Sequence, residues 1–191
     1  MTEDPFRRRL LDAMAAAVRE RGYRDATVAD VVRHARTSRR TFYQHFDSKQ
    51  DCFIAMLGEQ NRRTIRRIED AVDTGAPWEK QVQQAIEAWI GEYKVDPIIA
   101  VAWIRDTPAL GDAARALHHE ASDAFVELIQ KLTATPEFGA PGLHPPTRQV
   151  ATILFGGFRE LVASTVEAGG DVTDVIDVAV ETAVALISPR A

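Results

Sequence analysis

Arg39, Arg40, Tyr43 and Gln44 fall within six residues of one another, and each carries groups suited to hydrogen bonding at the edge of a base. An arginine can meet guanine O6 and N7 together, and a glutamine can do the same for the adenine edge. Around them lie Thr27, Arg36, Thr37, Ser38, Thr41, His45 and Lys49, whose hydroxyls, ring nitrogens and cations are of the kind that contact phosphate. Phosphate contacts set register, and base contacts carry sequence information. The chemistry these residues suggest is recognition of double-stranded DNA.

Two short helical patterns must position them. Val28, Val31, Val32 and Ala35 recur at i, i+3, i+4 and i+7, which makes one apolar stripe. In the second pattern Phe42 and Phe46 stand one turn apart. At 100° per residue, Arg40 and Gln44 then point away from those rings, and Thr37, Thr41 and Tyr43 lie toward the same outer side. Helices so close in sequence must cross steeply, as in a helix-turn-helix. Thr27 and Asp30 have capping-box spacing, Ser38 can cap the next helix, and Asp47 or Ser48 the one after. Ahead of this pair, residues 6–22 form a helix with Leu10, Met14 and Val18 on one stripe, stopped at Gly22.

Bulk properties place these elements in an ordinary folded protein. The chain of 191 residues is 46% hydrophobic and 27% charged, as expected of a globular chain. Its net charge of −5 argues against a nucleic-acid partner until the distribution is read. Residues 1–50 carry eleven basic and seven acidic side chains, and the remainder twelve basic and twenty-one acidic. A basic front on an acidic body can still hold phosphates, because screening confines charge effects to about 8–10 Å. The longest apolar run, Pro97–Ile104, is too short to cross a membrane. The first residues lack a secretory apolar core, and a single cysteine, Cys52, excludes an internal disulfide framework. A cytoplasmic location is expected. Cys52 has no second cysteine to resolve an oxidised form, which favours a packed residue over a redox switch.

Further helices follow from the same rules. One runs from Lys49 to about residue 72, and a break falls at Gly75-Ala76-Pro77. Another spans 78–94. A sixth opens at Pro97 and is apolar all round, as if buried on several sides. A seventh covers about 110–133. Residues 134–146, rich in Gly and Pro, form a loop. Helices over 147–168 and 172–187 close the chain. No strand or hairpin pattern stands out, so the fold is all-α with about nine helices. The expected division is a DNA-binding head at 1–50 and an effector-binding, dimerising body at 51–191.

Residues 22–49, GYRDATVADVVRHARTSRRTFYQHFDSK, resemble the DNA-binding signature of the TetR/AcrR family of transcriptional regulators. The shared elements are Gly22-Tyr23, Thr27-Val28, Ala35 before the turn, Ser38, and the run Thr41-Phe42-Tyr43 with His45, Phe46 and Lys49. The resemblance covers about residues 6–55, and beyond it only length and helix pattern agree. It implies a three-helix head, phosphate contacts from Thr27, Ser38, Thr41, His45 and Lys49, a dimer, and an effector that alters the separation of two DNA-reading heads. His45 equally suits packing beside Phe46. The chain departs from the family pattern twice. Arg36 stands where the family commonly has a glycine, so either the turn adapts or Arg36 bears strain, and its cation can reach a phosphate. Arg40 replaces a small residue, which should alter operator choice.

In the body, the last helix is apolar over more than one stripe, so two of its faces need partners. One partner can be a second copy, giving a four-helix interface eased by Gly156-Gly157, and a paired head implies a palindromic operator. Trp89, Tyr93, Trp103, Phe125 and Phe155, with Phe158, either form core or line an apolar ligand pocket, with Arg105, His118 and Arg159, and also His119 and Glu160, as its polar groups. The adjacent His118-His119 lacks the i, i+4 spacing of two metal ligands, so no metal or cofactor is expected. The reading is a dimeric repressor released by a small hydrophobic or amphipathic effector. An activator or effector-independent regulator shares the same face. An all-α enzyme has no catalytic spacing to support it, and a helix-turn-helix used only for packing would lack salt-dependent DNA binding.

Overall fold

The computed structural model describes residues 4–134 and 145–187, and no strand occurs among them. In chain order its helices are α1 (Pro5–Asp25), α2 (Val28–His34), α3 (Arg39–His45), α4 (Lys49–Ala71), α5 (Trp78–Val95), α6 (Pro97–Asp106), α7 (Gly111–Leu132), α8 (Arg148–Glu167) and α9 (Ile176–Ile187). Short 3-10 turns at Thr107–Leu110 and Val172–Val175 precede α7 and α9. None of the described helices is long and apolar enough to cross a membrane.

The chain forms two compact units, Met1–Asn61 with Ile98–Leu117, and Arg62–Pro97 with His118–Ala191. In the first, Leu10, Met14 and Val18 of α1 meet Val31 of α2, Phe42 of α3 and Phe53 and Leu57 of α4, all at most 1% exposed. Each such side chain contributes about 1.5–3 kcal/mol through burial. Ile99 and Ala102 of α6 and Leu117 of α7 join the same core, so compactness does not divide the chain at residue 50. The second unit is built on Ile68, Ile90, Leu128, Leu154, Phe158, Val162, Ala179 and Ala183.

Local signals in the sequence set the helix ends. Asp4 caps α1, where Pro5 begins the helix, and α1 breaks at Gly22, whose φ is +75°. Thr27 and Asp30 form the capping box of α2. Ser38 Oγ accepts from the Thr41 N–H, and Ser48 Oγ accepts from the Asp51 N–H, so Ser48 and not Asp47 caps α4. Thr147 caps α8.

Three expectations need correction or limits. The α6 run is not buried all round, since Ile99, Ala100 and Ala102 are buried but Ile98 is 47% exposed. The last helix does not start at 172. Asp171 Oδ1 accepts from both the N–H and the hydroxyl of Thr173, which holds a 3-10 turn and delays α9 to Ile176. Of the expected loop at 134–146, residues 135–144 lie outside the described residues.

Candidate nucleic-acid interface and ligand cavity

The turn between α2 and α3 orients the candidate reading helix, and its hydrogen bonds form a Schellman cap. The Thr37 N–H donates to the Val32 carbonyl at 3.0 Å, and the Arg36 N–H donates to the Arg33 carbonyl at 3.2 Å. This pattern places Arg36 at the left-handed position, with φ +48°, the one non-glycine positive φ among the described residues. The turn therefore does not adapt to arginine. Arg36 takes the conformation a glycine would take, at a cost of about 1–2 kcal/mol. Arg9 braces the turn from α1 by donating to the Ala35 carbonyl at 3.1 Å.

Beyond the turn, α3 sets Phe42 wholly inside, with Phe46 buried beside it, and turns Arg39, Arg40, Tyr43 and Gln44 outward. Tyr43 is 56% exposed although its ring packs edge-on against Phe42 at 5.4 Å. Thr27, Arg36 and Ser38 are exposed too, and Thr37, Thr41, His45 and Lys49 are partly buried. Thr41 Oγ1 shares a hydrogen bond with Ser38 Oγ at 3.0 Å, and His45 Nδ1 lies 3.5 Å from Asp4 Oδ2. Apart from Thr27, which caps α2, and Lys49, which opens α4, the candidate contact set stands on α3 and the turn before it.

Lys49 occupies a different setting from the others. Its Nζ donates to the carbonyls of Tyr23 and Ala26 at 2.9 Å and of Arg24 at 3.3 Å, and sits 4.4 Å from the Tyr23 ring centre. Burial holds its pKa below the usual lysine value. The three carbonyls match the three protons of an ammonium. Lys49 is thus the clasp that ties the start of α4 to the end of α1.

An ion network joins α1 to α2. The Arg33 guanidinium lies 2.8 Å from Glu20 Oε2 and 3.4 Å from Asp30 Oδ1, Arg21 lies 3.4 Å from Asp30 Oδ1, and His34 Nε2 is 2.8 Å from Glu20. The Thr27 hydroxyl, donating at 2.6 Å, is the main reason the Asp30 carboxyl falls to about 2. Hydrogen bonds from Arg33 and then His34 lower Glu20. Arg9, Glu20 and Arg33 were not singled out from the sequence. Their only advance signal was the acidic and basic composition of α1 and α2, which does not specify partners.

The aromatic residues of the body fall into separate groups. In the second unit an apolar cavity of about 80 Å³ is lined by Ile68, Gln81, Trp89, Phe125, Thr133 and Phe158 among others. Beside these rings is a second cluster of predicted residues. Phe125 stacks near Phe155 at 4.7 Å, and Trp89 meets Tyr93 at 4.5 Å. Arg159 lies over Phe155 at 5.3 Å and donates to His118 Nδ1 at 2.9 Å. Burial, then the Arg159 charge, lowers His118, and burial pushes Tyr93 up to about 12. Trp103 and Arg105 are not brought to this group. Both belong to the first unit, where Trp103 packs on that unit's core. Gln81 and Thr133 are cavity residues that the sequence did not reveal, because a glutamine between Lys80 and Gln83 looks like surface. Among the described residues no group of three or more His, Cys, Asp or Glu is placed to hold a metal ion. Cys52 is fully buried, and burial pushes its thiol up to about 12, which keeps it unreactive.

Comparison with known proteins accords with this geometry. The whole chain superposes on the fatty acid degradation regulator FadR from Bacillus halodurans with a TM-score of 0.81 at 18% identity, covering 100% of both chains. It covers 96% of itself and 99% of FadR from Bacillus subtilis, solved in complex with stearoyl-CoA, with a TM-score of 0.78 at 17% identity. E. coli NemR in its reduced form gives 0.73 at 16% identity, over 97% of this chain and 99% of that one. At these identities the likeness is one of fold. No curated protein matches in sequence. Residues 10–56, the helix-turn-helix head, match the family model of bacterial regulatory proteins of the tetR family.

Proposed function

We propose that the protein is a dimeric, sequence-specific transcriptional regulator, and that it represses by binding a palindromic operator and releases it when a small apolar effector enters the body. The observation that carries this reading is the outward face of α3, where Arg39, Arg40, Tyr43 and Gln44 are all exposed on a helix anchored by the buried Phe42. Arg36, Thr37, Ser38, Thr41 and His45 border that face and suit phosphate contacts, as does Thr27. On this reading residues 1–50 read DNA and residues 51–191 pair and bind effector.

A strip on α8 supports pairing. Ile153, Gly156, Gly157 and Glu160 are all exposed at i, i+3, i+4 and i+7, and a Cβ at either glycine would meet nothing within 4 Å. Ile153 is 64% exposed, and Val178 and Leu186 of α9 are 48% and 41% exposed. Small residues flanked by bare apolar ones allow two helices to approach closely. The cavity beside Trp89 and Phe125 supports an apolar effector, and its size favours a compact molecule over a long acyl chain. Pockets for drug-sized ligands occupy about 300–1,000 Å³.

The test is selection of bound DNA from a random pool, followed by binding measurements at fixed salt. A two-fold symmetric consensus with half-sites about one helical turn or more apart is expected. Arg40→Ala should cost about 1–3 kcal/mol and relax preference at one position. A single unpaired half-site would refute the dimer, and affinity unaffected by salt would refute DNA binding altogether.

A further inference from the structure

Gln81 and Thr133 are the two polar side chains in the lining of the body's otherwise apolar cavity. Gln81 is 3% exposed, and its Oε1 has no hydrogen-bond partner among the described residues. The orientation of the carboxamide is settled by its other arm. Nε2 donates to the Ala76 carbonyl at 2.7 Å and to the Thr74 carbonyl at 3.4 Å, both in the turn before α5. Exchanging nitrogen and oxygen would set the amide oxygen against both carbonyl oxygens, so the oxygen must stay on the other side. Leaving a buried carbonyl unbonded is costly, and such groups in folded proteins call for an explanation.

The second polar side chain of the lining agrees in sign. Thr133 Oγ1 donates to the Ile129 carbonyl at 2.8 Å, with the Gln130 carbonyl 3.3 Å away. Its proton is turned into its own helix, so what remains for a neighbour is a lone pair. Gln81 and Thr133 therefore both present acceptors. The lining residues include none with a charge.

We propose that Gln81 Oε1 is the recognition point for the effector, and that the effector is a compact, neutral, apolar molecule bearing a hydroxyl or N–H donor. This rests on the effector reading of the cavity given above. A donor on the ligand satisfies Oε1 and removes the penalty of its burial. A carboxylate or an ether oxygen meets lone pair with lone pair, and a carboxylate finds no cation in the lining. A site built to bond a donor discriminates strongly against an analogue that lacks one, because the protein group is left unpaired.

The experiment uses phenol and benzonitrile as probes, two small aromatic molecules of similar hydrophobicity, one a donor and the other an acceptor only. Isothermal titration calorimetry on the full-length wild-type protein should show phenol binding at least about tenfold more tightly. In Gln81→Met, which keeps length and volume, that preference should collapse, with benzonitrile bound as well as or better than before. Equal binding of the two probes by the wild type overturns the role of Gln81 and leaves the effector cavity standing. A preference retained in a folded Gln81→Met protein overturns it as well. Binding of neither probe at millimolar concentration overturns the cavity as an effector site, and the inference with it. Should Gln81→Met fail to fold by circular dichroism, the wild-type probe pair decides alone.

Discussion

Helices α2 and α8 end in the same hydrogen-bonded cap, yet one places arginine where the other places glycine. At α8 the Gly169 N–H reaches the Val166 carbonyl and the Gly170 N–H the Thr165 carbonyl, both at 2.9 Å, with Gly169 at φ +76°. At α2 the corresponding position is Arg36, at φ +48°. Glycine enters this conformation without steric penalty, whereas a side chain costs about 1–2 kcal/mol there. The residue at the α8 end is the one folding prefers. The α2 end borders the candidate DNA face, and the residue there is a cation that folding alone would not choose. Strain kept at one of two equivalent caps points to what Arg36 does outside the fold.

The end of α1 shows a third arrangement, and disrupting it should have the largest effect. There Gly22 turns the chain, and the carbonyls it releases are held by Lys49. Lys49→Met leaves those carbonyls unbonded and should cost about 1–3 kcal/mol in urea denaturation. DNA affinity should fall for all sequences alike, through loss of the α1–α4 clasp. If Lys49→Met kept full stability while losing DNA binding, Lys49 would be a phosphate contact and the clasp would be incidental.

Gly169→Ala comes next. A Cβ there meets nothing within 4 Å, so the substitution isolates backbone conformation from packing. A loss of about 1–2 kcal/mol in thermal or urea melts is expected. No loss would mean this cap tolerates a side chain freely, and the argument from Arg36 would weaken with it.

These ends show how far the sequence could be read. Thr27, Ser38 and Pro97 were legible, and the α4 cap was narrowed to Asp47 or Ser48, because a helix terminus is a local problem, solved within three or four residues. Arg36 was legible as a departure from the glycine common in the family signature that the sequence resembles. Lys49 was placed correctly at a helix start, but its carbonyl partners lie 23 to 26 residues away, and no local pattern specifies them. Trp103 had the right character for a ligand pocket but packs in the other unit, since residue type does not encode which core receives a ring. Gln81 was hidden for the opposite reason, a polar type whose burial only the packing of α5 determines.

At the N-terminus of α2 the expected effect is near 1 kcal/mol, the usual loss when Thr27→Ala removes a capping hydroxyl. It also changes the response to acid. The Asp30 carboxyl lies at about 2 against an ordinary 3.8, chiefly through the Thr27 hydroxyl. A carboxyl depressed in the folded state stabilises above its unfolded value, and that stability is lost as pH falls from about 4 toward 2. Urea midpoints across this range should drop more steeply in the wild type than in Thr27→Ala. Parallel curves would show that the hydroxyl does not govern Asp30.

The smallest change in stability, and the sharpest test of the comparison, is Arg36→Gly. It gives α2 the cap that α8 already has. Relief of strain stabilises, and the greater freedom of glycine in the unfolded chain takes part of that back, so a net gain of up to about 1 kcal/mol is expected. DNA binding should move the other way. If Arg36 contacts a phosphate, the affinity of Arg36→Gly falls uniformly across sequences, and the slope of log affinity against log salt decreases by about 1. Arg36→Ala separates the two effects, because it retains most of the strain and loses the charge. Its salt slope should match that of Arg36→Gly, and its stability should stay near the wild type. A stabilised Arg36→Gly with unchanged salt dependence would show that the arginine has no electrostatic role at the DNA, and that the strain at this turn is borne without return.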